Sequence, residues 1–181
     1  MKKSKYTTAM KSVIGTRYEQ QDCAFQKVEA EKVLAIVCDG MGGHESGGLA
    51  SAITIEKFKE LHEKKDPSEP LSTFYLNAVD ILDELVFNLK NEHGEKLAAG
   101  TTFVAAIIEG DELSDEILIA DCQAFLLCTD GFWELIDPKL MGKLLKKSKT
   151  VDEWLDLMTS EVEKNGQGQD MDNYTAIAVM N

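Results

Sequence analysis

Residues 33–44 read VLAIVCDGMGGH, six apolar residues followed by Asp39 and a glycine-rich loop. A short, continuous apolar run bounded by turn residues is typical of a strand buried in a core. The aspartate and the glycines end this strand at an edge of a sheet. Backbone carbonyls and water can reach a cation at such an edge, so the sequence predicts a functional site there.

Two more aspartates stand at the ends of predicted strands. Asp130 follows the strand predicted over 125–129 and precedes Gly131, and Asp172 comes just before the strand predicted over 174–180. If the last strand runs antiparallel to the other two, its beginning lies at the same sheet edge as their ends. The three aspartates then converge.

A fourth carboxylate joins them through a predicted hairpin. A short polar loop separates the strand 33–38 from the β-type run before it. Pairing Val28 with Val33 across this loop places Asp22 opposite Asp39. Arg17 lies a short way upstream and can reach the same edge.

A cluster of this kind has a specific chemistry. Carboxylates held together repel one another unless cations neutralise them, and an all-oxygen site suits Mg²⁺ or Mn²⁺. Two such ions can hold a hydroxide for in-line attack on phosphorus, and an arginine can clamp a phosphate with two hydrogen bonds. Asp-Gly is also a common turn dipeptide, so each aspartate taken alone has a purely structural interpretation.

The glycine-rich loop after Asp39 matches none of the common phosphate or zinc motifs. Glu45 breaks the dinucleotide-binding pattern, and Leu49 stands where a P-loop requires lysine. His44 has no second histidine at the zincin spacing. A loop that enters a helix in this way suits close backbone approach to a metal–phosphate site; the alternative is a flexible turn with Ser46 as helix N-cap.

Composition narrows the function classes. The chain has 181 residues and a net charge of −13. We expect one domain over residues 1–181. The acidity argues against nucleic-acid binding, which needs basic patches. No apolar run approaches the length of a membrane span and the N-terminus lacks a secretory signal, so a cytoplasmic chain with reduced cysteines is the expectation.

The remaining sequence predicts helices and strands that do not alternate strictly. The predicted strands cover 22–28, 33–38, 101–108, 116–120, 125–129 and 174–180, and the predicted helices cover 46–64, 71–91, 138–147 and 151–164. This order favours an α+β fold with mainly antiparallel sheets and packed helices.

The chain resembles the PPM-type (type 2C) metal-dependent Ser/Thr protein phosphatases, most closely their compact bacterial branch. The matching stretches are Gly15-x-Arg17-x-x-x-Gln21-Asp22, Val37-Cys-Asp-Gly-Met-Gly-Gly-His44, Gly100-Thr-Thr102, Leu127-Cys-Thr-Asp-Gly131 and Asp172-Asn-Tyr-Thr175. They follow the family's order over nearly the whole chain. The resemblance implies a four-layer α-β-β-α sandwich of two mainly antiparallel sheets flanked by helices.

The resemblance also implies a set of metal ligands for two Mn²⁺ or Mg²⁺ ions. Asp39 would bridge the two metals, and Gly40 would contribute its carbonyl oxygen. Asp130 and Asp172 would each bind one metal, while Asp22 would act directly or through metal-bound water.

The reaction that the resemblance implies uses a hydroxide between the metals as nucleophile, without a covalent intermediate. Arg17 would bind the substrate phosphate. The best-known eukaryotic relatives have a histidine, a proposed general acid, where this chain has Met41. The proton donor therefore remains unassigned, and His44 is only a weak candidate.

The chain departs from the family between two of its motifs. Residues 120–125 look like a degraded Gly-Asp-Ser-Arg stretch and run straight into the Thr-Asp-Gly strand. The intervening flap segment is missing, which predicts a truncated fold with a more open cleft and reduced activity. By resemblance, Asp121 is the candidate ligand of a third metal ion.

The resemblance and the missing segment together suggest three alternative functions. The first is hydrolysis of phosphoserine and phosphothreonine in proteins, with phosphoproteins and a cognate Ser/Thr kinase as partners in bacterial signalling. The second is a pseudophosphatase that binds phosphoproteins without efficient hydrolysis. The third is a metal site that mainly ties the sheets together. The strand exposed by the deletion is also a candidate edge for pairing with a second copy.

Overall fold

The computed structural model describes residues 4–42, 46–109, 112–113 and 122–181. Its strands are β1 (Thr7–Val13), β2 (Cys23–Glu29), β3 (Lys32–Cys38), β4 (Gly40–Met41), β5 (Gly100–Thr101), β6 (Val104–Glu109), β7 (Glu112–Leu113), β8 (Ala124–Cys128) and β9 (Tyr174–Met180). Its helices are α1 (Ser46–Lys64), α2 (Leu71–Phe87), α3 (Asp130–Trp133), α4 (Pro138–Lys147) and α5 (Val151–Gly166).

Two antiparallel sheets form the centre of the fold. The first has the strand order β1-β9-β8 and the second the order β2-β3-β6-β7, while β4 and β5 form a separate two-stranded ladder. An apolar core that includes Val37 and Ile108 of the second sheet and Ile177 and Val179 of the first fills the space between them. The sheets therefore pack face to face.

Helices cover the outer face of each sheet. Phe58 of α1 and Phe74 of α2 pack with Ile36 against the second sheet. Trp154 and Leu155 of α5 pack on the first sheet together with residues of α3 and α4. This arrangement confirms the predicted four-layer α-β-β-α sandwich.

The local predictions agree closely with several elements. The helices predicted over 46–64 and 138–147 and the strand predicted over 174–180 have the observed bounds. The predicted hairpin register is confirmed, because Val28 lies opposite Val33 and Cys23 opposite Cys38.

Other predictions were wrong in detail. The helix predicted over 71–91 ends at Phe87, where the side-chain amide of Asn88 donates to the Glu84 carbonyl and the backbone amide of Leu89 turns to the Val86 carbonyl. The strand predicted over 101–108 is divided into β5 and β6, because Thr102 turns aside to bond the carbonyl of Asp39. Strand β1 was not predicted, and the predicted strand 116–120 lies outside the described residues.

The helices of the described residues were compared in length and apolarity with the span of a bilayer. None of them is both long enough and apolar enough to cross one.

Candidate active site

Strand pairing brings the predicted carboxylates to one end of the two sheets. Asp22 and Asp39 directly extend the β2–β3 hairpin, whose last pair is Cys23 with Cys38. In the first sheet Cys128 lies opposite Ala176, so Asp130 and Asp172 stand at the same end of β8 and β9. The predicted antiparallel arrangement is confirmed for β8 and β9, which bring Asp130 and Asp172 to one end. The prediction that Asp39 lies at the edge of the same sheet was wrong, because β3 belongs to the second sheet.

Two hydrogen bonds join the ends of the two sheets at this point. The hydroxyl of Thr129 donates to Oδ2 of Asp22 across 2.9 Å. The backbone amide of Gln21 donates to Oδ1 of Asn173 across 2.8 Å. The pair Asp22 and Asp39 is therefore held against the pair Asp130 and Asp172.

Asp39 is anchored through its backbone rather than its side chain. Its amide donates to Oγ1 of Thr102 at 3.0 Å, and its carbonyl accepts from the Thr101 hydroxyl at 3.0 Å and the Thr102 amide at 2.8 Å. These bonds fix the main chain and leave the carboxylate to face the other acids.

The electrostatics of the cluster favour binding of cations. Burial raises the pKa of Asp39 to about 6, and repulsion by Asp22, Asp130 and Asp172 adds to the rise. Burial also raises the pKa of Asp22, although hydrogen bonds from Thr175 and Thr129 oppose that rise. Because the charged forms are destabilised, a divalent cation between these groups would relieve the repulsion.

Arg17 already neutralises one of the carboxylates. Its Nε lies 3.0 Å from Oδ1 of Asp172 and its terminal nitrogen 2.9 Å from Oδ2. Both side chains are about half exposed. This two-pronged ion pair holds the guanidinium at the cleft beside Asp39 and Asp172.

The cluster opens into a cleft of ≈ 570 Å³. Its lining includes Arg17, Tyr18, Gln21, Asp39, Met41 and Asp172. Asp22, which is 3% exposed, does not line the cleft. This position fits an indirect role for Asp22 better than direct contact with a ligand.

The donor set has the chemistry that a hard divalent metal ion requires. Carboxylates and the backbone carbonyl of Gly40 are all oxygen donors, as Mg²⁺ and Mn²⁺ prefer. In the described part of the chain, however, no three acidic, histidine or cysteine side chains are gathered closely enough to hold an ion. The candidates Asp121 and His44 lie outside the described residues.

Asn173 is a structural residue of the site whose role the sequence did not reveal. Its amide nitrogen donates to the carbonyls of Ile14 and Glu19 at 2.8 and 3.0 Å, and its side-chain oxygen accepts from Gln21. It is 6% exposed and ties the segment that carries Arg17 to the start of β9. Its place in the Asp172-Asn-Tyr-Thr175 stretch was the signal that the sequence offered.

Gly15 permits the close approach of these two segments. Its φ is +66°, and a side chain there would collide with the carbonyl oxygen of Asp172. The neighbouring Thr16 donates its amide to the Met171 carbonyl at 3.0 Å. Glycine is therefore required both by the backbone conformation and by space.

The chain is similar to a curated protein and to several solved structures. No family model matches the chain. A protein of Streptococcus pyogenes serotype M6, whose name assigns it provisionally to the 2C-type protein phosphatases, is 24% identical over 151 residues. The match covers 80% of this chain, and the chain spans about 60% of the length of that curated relative.

Solved structures match over almost the full chain. A bacterial serine phosphatase, solved as an arginine-to-alanine mutant, superposes with a TM-score of 0.84 at 18% identity, covering 98% of this chain and 99% of that one. The serine/threonine phosphatase of S. agalactiae gives 0.78 at 18% identity, with coverages of 97% and 99%. The catalytic domain of PstP, solved with two manganese ions, gives 0.76 at 17% identity, covering 97% of each chain.

The chain has the PP2C-type phosphatase fold. The resemblance carried by its motifs is therefore confirmed at the level of the fold. In this PP2C-type fold Arg17, Asp39 and Asp172 line one cleft, while Asp22 and Asp130 stand beside it.

Proposed function

We propose that this chain is a metal-dependent phosphatase that hydrolyses phosphoserine and phosphothreonine in proteins. One observation carries the proposal: Asp39 and Asp172, from different sheets, line one cleft together with Arg17, and Asp22 and Asp130 stand next to them. The S. pyogenes relative and the similar solved structures, by their names, support the same reaction class.

The residues of the cluster supply the oxygen donors that two Mn²⁺ or Mg²⁺ ions would need, and binding would draw their side chains closer together than they lie in the metal-free chain. Asp39 and the Gly40 carbonyl lie at the centre, with Asp130 and Asp172 on the opposite sheet. When bound, these ions supply the positive charge that activates water and stabilises the phosphoryl group under attack. Asp22 helps to position the site, because it accepts a hydrogen bond from the Thr129 hydroxyl that joins the ends of the two sheets.

Arg17 is suited to bind the phosphate. Its planar fork holds the two oxygens of Asp172 in this structure, and a phosphate offers an equivalent pair of oxygens. Arg17 thus orients the phosphate at the mouth of the cleft, while the general acid is unassigned because Met41 cannot donate a proton.

The setting of this activity is part of the proposal. We propose that residues 1–181 form one catalytic domain, that it acts in the cytoplasm, and that its substrates are proteins phosphorylated by a Ser/Thr kinase.

Phosphate release from a phosphothreonine peptide tests the proposal. We expect release with Mn²⁺, loss of release with excess EDTA, and recovery when Mn²⁺ is restored. Binding of the peptide with no release in any metal would contradict the phosphatase and leave a phosphoprotein-binding module.

Substitution of Arg17 tests its role in the same assay. We expect Arg17→Ala to lower kcat/KM for the peptide about a hundredfold, because a charge-assisted two-pronged contact is lost. Arg17→Lys should recover little, since an ammonium cannot form the fork. Lys164→Ala, which removes an exposed cation of α5 paired with Glu161, is the control and should match the wild type. Equal rates for Arg17→Ala and the control would exclude Arg17 from phosphate binding.

A further inference from the structure

A second cavity opens beside the carboxylate cleft and shares a wall with it. Met41 lines both spaces. The second cavity has a volume of ≈ 350 Å³ and lies between α2 and the β4–β5 ladder. Its lining is mainly apolar and includes Val79, Leu82, Val86, Phe87 and Phe103. This volume is within the range of small ligand sites.

The wall of the cavity belongs to the same ladder that fixes Asp39. Met41 pairs with Gly100 and Gly40 with Thr101, and Thr101 also bonds the Asp39 carbonyl. A side chain at position 100 would come within 3.5 Å of the Met41 methyl group. The cavity is therefore held at a fixed position relative to the carboxylate cluster.

The rim of the cavity exposes apolar side chains. Met41 is 55% exposed and Phe87 is 65% exposed. The amine of Lys96 lies 3.2 Å from the centre of the Phe87 ring and holds the ring at the rim. Large apolar side chains grouped at the mouth of a cavity are typical of a surface that a partner covers.

The lining also contains a polar atom without a partner. Thr54 of α1 is 1% exposed, and its hydroxyl oxygen makes no hydrogen bond with any of the residues that the structure describes. An unsatisfied buried hydroxyl destabilises a protein. A backbone N–H or C=O group of a bound peptide would remove this cost, while an apolar side chain of the peptide fills the rest of the cavity.

We propose that this cavity binds an apolar side chain of the phosphoprotein substrate, close in sequence to the phosphorylated residue. The inference rests on the proposed function, because the phosphate end of the substrate is placed at Arg17 and the carboxylates. A peptide leaving that cleft past Met41 reaches the second cavity directly. The occupant is thus continuous with the bound phosphoresidue, and Phe87 and Met41 determine sequence preference.

A leucine scan of the substrate tests this subsite. Phosphothreonine peptides with a glycine- and serine-rich background carry one leucine at each position near the phosphothreonine in turn. We expect leucine at one or two positions to raise kcat/KM about tenfold or more, mainly through a lower KM, as burial of one apolar side chain allows. The Phe87→Glu variant should bring the ratio between leucine and glycine peptides close to one.

A matched variant controls for the added charge. Leu76→Glu places the same charge at another exposed apolar position of α2, outside the cavity, and should keep the leucine preference. Because the readout is a ratio of two peptides, a general loss of activity cancels.

The possible results distinguish a failure of the subsite proposal from a failure of the proposed phosphatase activity. Phosphate release at equal kcat/KM from all peptides would overturn the subsite and leave the phosphatase standing. A leucine preference that survives Phe87→Glu would also overturn it, because the leucine then binds elsewhere. No release from any peptide with Mn²⁺ would overturn both proposals.

Discussion

Asp39 combines a fixed backbone with an electrostatically unfavourable carboxylate. Three hydrogen bonds to Thr101 and Thr102 hold its main chain, while burial and repulsion by three other acids raise the pKa of its side chain to about 6. Such a group destabilises the metal-free protein when it is ionised. Strain of this kind is common where a site is built to bind a cation.

This pKa predicts how the metal-free protein responds to pH. The folded protein takes up a proton at Asp39 near pH 6, whereas the unfolded chain does so only near 3.8. The contribution of Asp39 to stability therefore rises as the pH falls through about 6. His62 acts in the opposite direction, because burial lowers its pKa in the folded state.

The Asp39→Asn variant isolates this contribution. We expect it to be more stable than the wild type at neutral pH by about 1 kcal/mol, a figure reduced for the partial exposure of the site. The difference should shrink as the pH approaches about 5. Urea unfolding in EDTA measures both quantities, with the exposed Asp80→Asn as control. Equal stability of Asp39→Asn and the wild type at neutral pH would contradict the repulsion.

Individual strands and helices show where sequence information was sufficient. The strand β3 and the helix α1 follow from an uninterrupted apolar run and a glycine-rich boundary, and the hairpin register follows from the loop length. Strand β1 lacks such a pattern, because Ala9 is its only fully buried residue. Its identity as a strand comes from pairing with β9, with Thr7 opposite Met180. Contacts between such distant positions leave no local signal.

The candidate site, too, was predictable from the sequence only in part. Aspartates at strand ends and the hairpin register predicted the convergence of Asp22, Asp39, Asp130 and Asp172. The ion pair between Arg17 and Asp172 joins positions 155 residues apart. The cavity beside Met41 requires α2 to pack against the β4–β5 ladder. Neither feature can be deduced from spacing, since both depend on how distant elements pack.

The close approach of the segment between β1 and β2 to Asp172 can be tested by substitution of Gly15. We expect Gly15→Ala to destabilise the protein by about 2 kcal/mol or more, because it combines a left-handed backbone with a collision against the Asp172 carbonyl. Gly94→Ala has a similar φ of +78° but no atom within 4 Å, so it should cost only about 1 kcal/mol. Urea unfolding compares the two. Equal destabilisation by the two substitutions would show that the backbone around Gly15 moves to accept a side chain. The segment between β1 and β2 would then not hold Asp172 in place.

The two sheets share an apolar core but meet in polar contacts at the active end. Val37 and Ile177 pack between the sheets, while Thr129–Asp22 and Asn173–Gln21 join their ends. The proposed metal ligands come from both sheets, with Asp39 on one and Asp130 and Asp172 on the other. Bound metal would therefore link the sheets.

This link predicts a rise in thermal stability with metal. At a Mn²⁺ concentration of about 100 times Kd, the free energy of unfolding should increase by about 2.7 kcal/mol. For a chain of this size that corresponds to a Tm higher by roughly 5–10 °C. Thermal melts with Mn²⁺ and with EDTA measure the change. An unchanged Tm would contradict a metal site shared by the sheets, and a higher Tm without phosphate release would favour a purely structural metal.

We propose that Asp39 is a metal ligand in the catalytic site. The most direct test is phosphate release from a phosphothreonine peptide at saturating Mn²⁺, compared between the wild type and Asp39→Asn. We expect release by the wild type and a rate at least about a hundredfold lower in the variant, although the variant is folded. Equal rates in the two proteins would show that Asp39 is not needed for phosphate release.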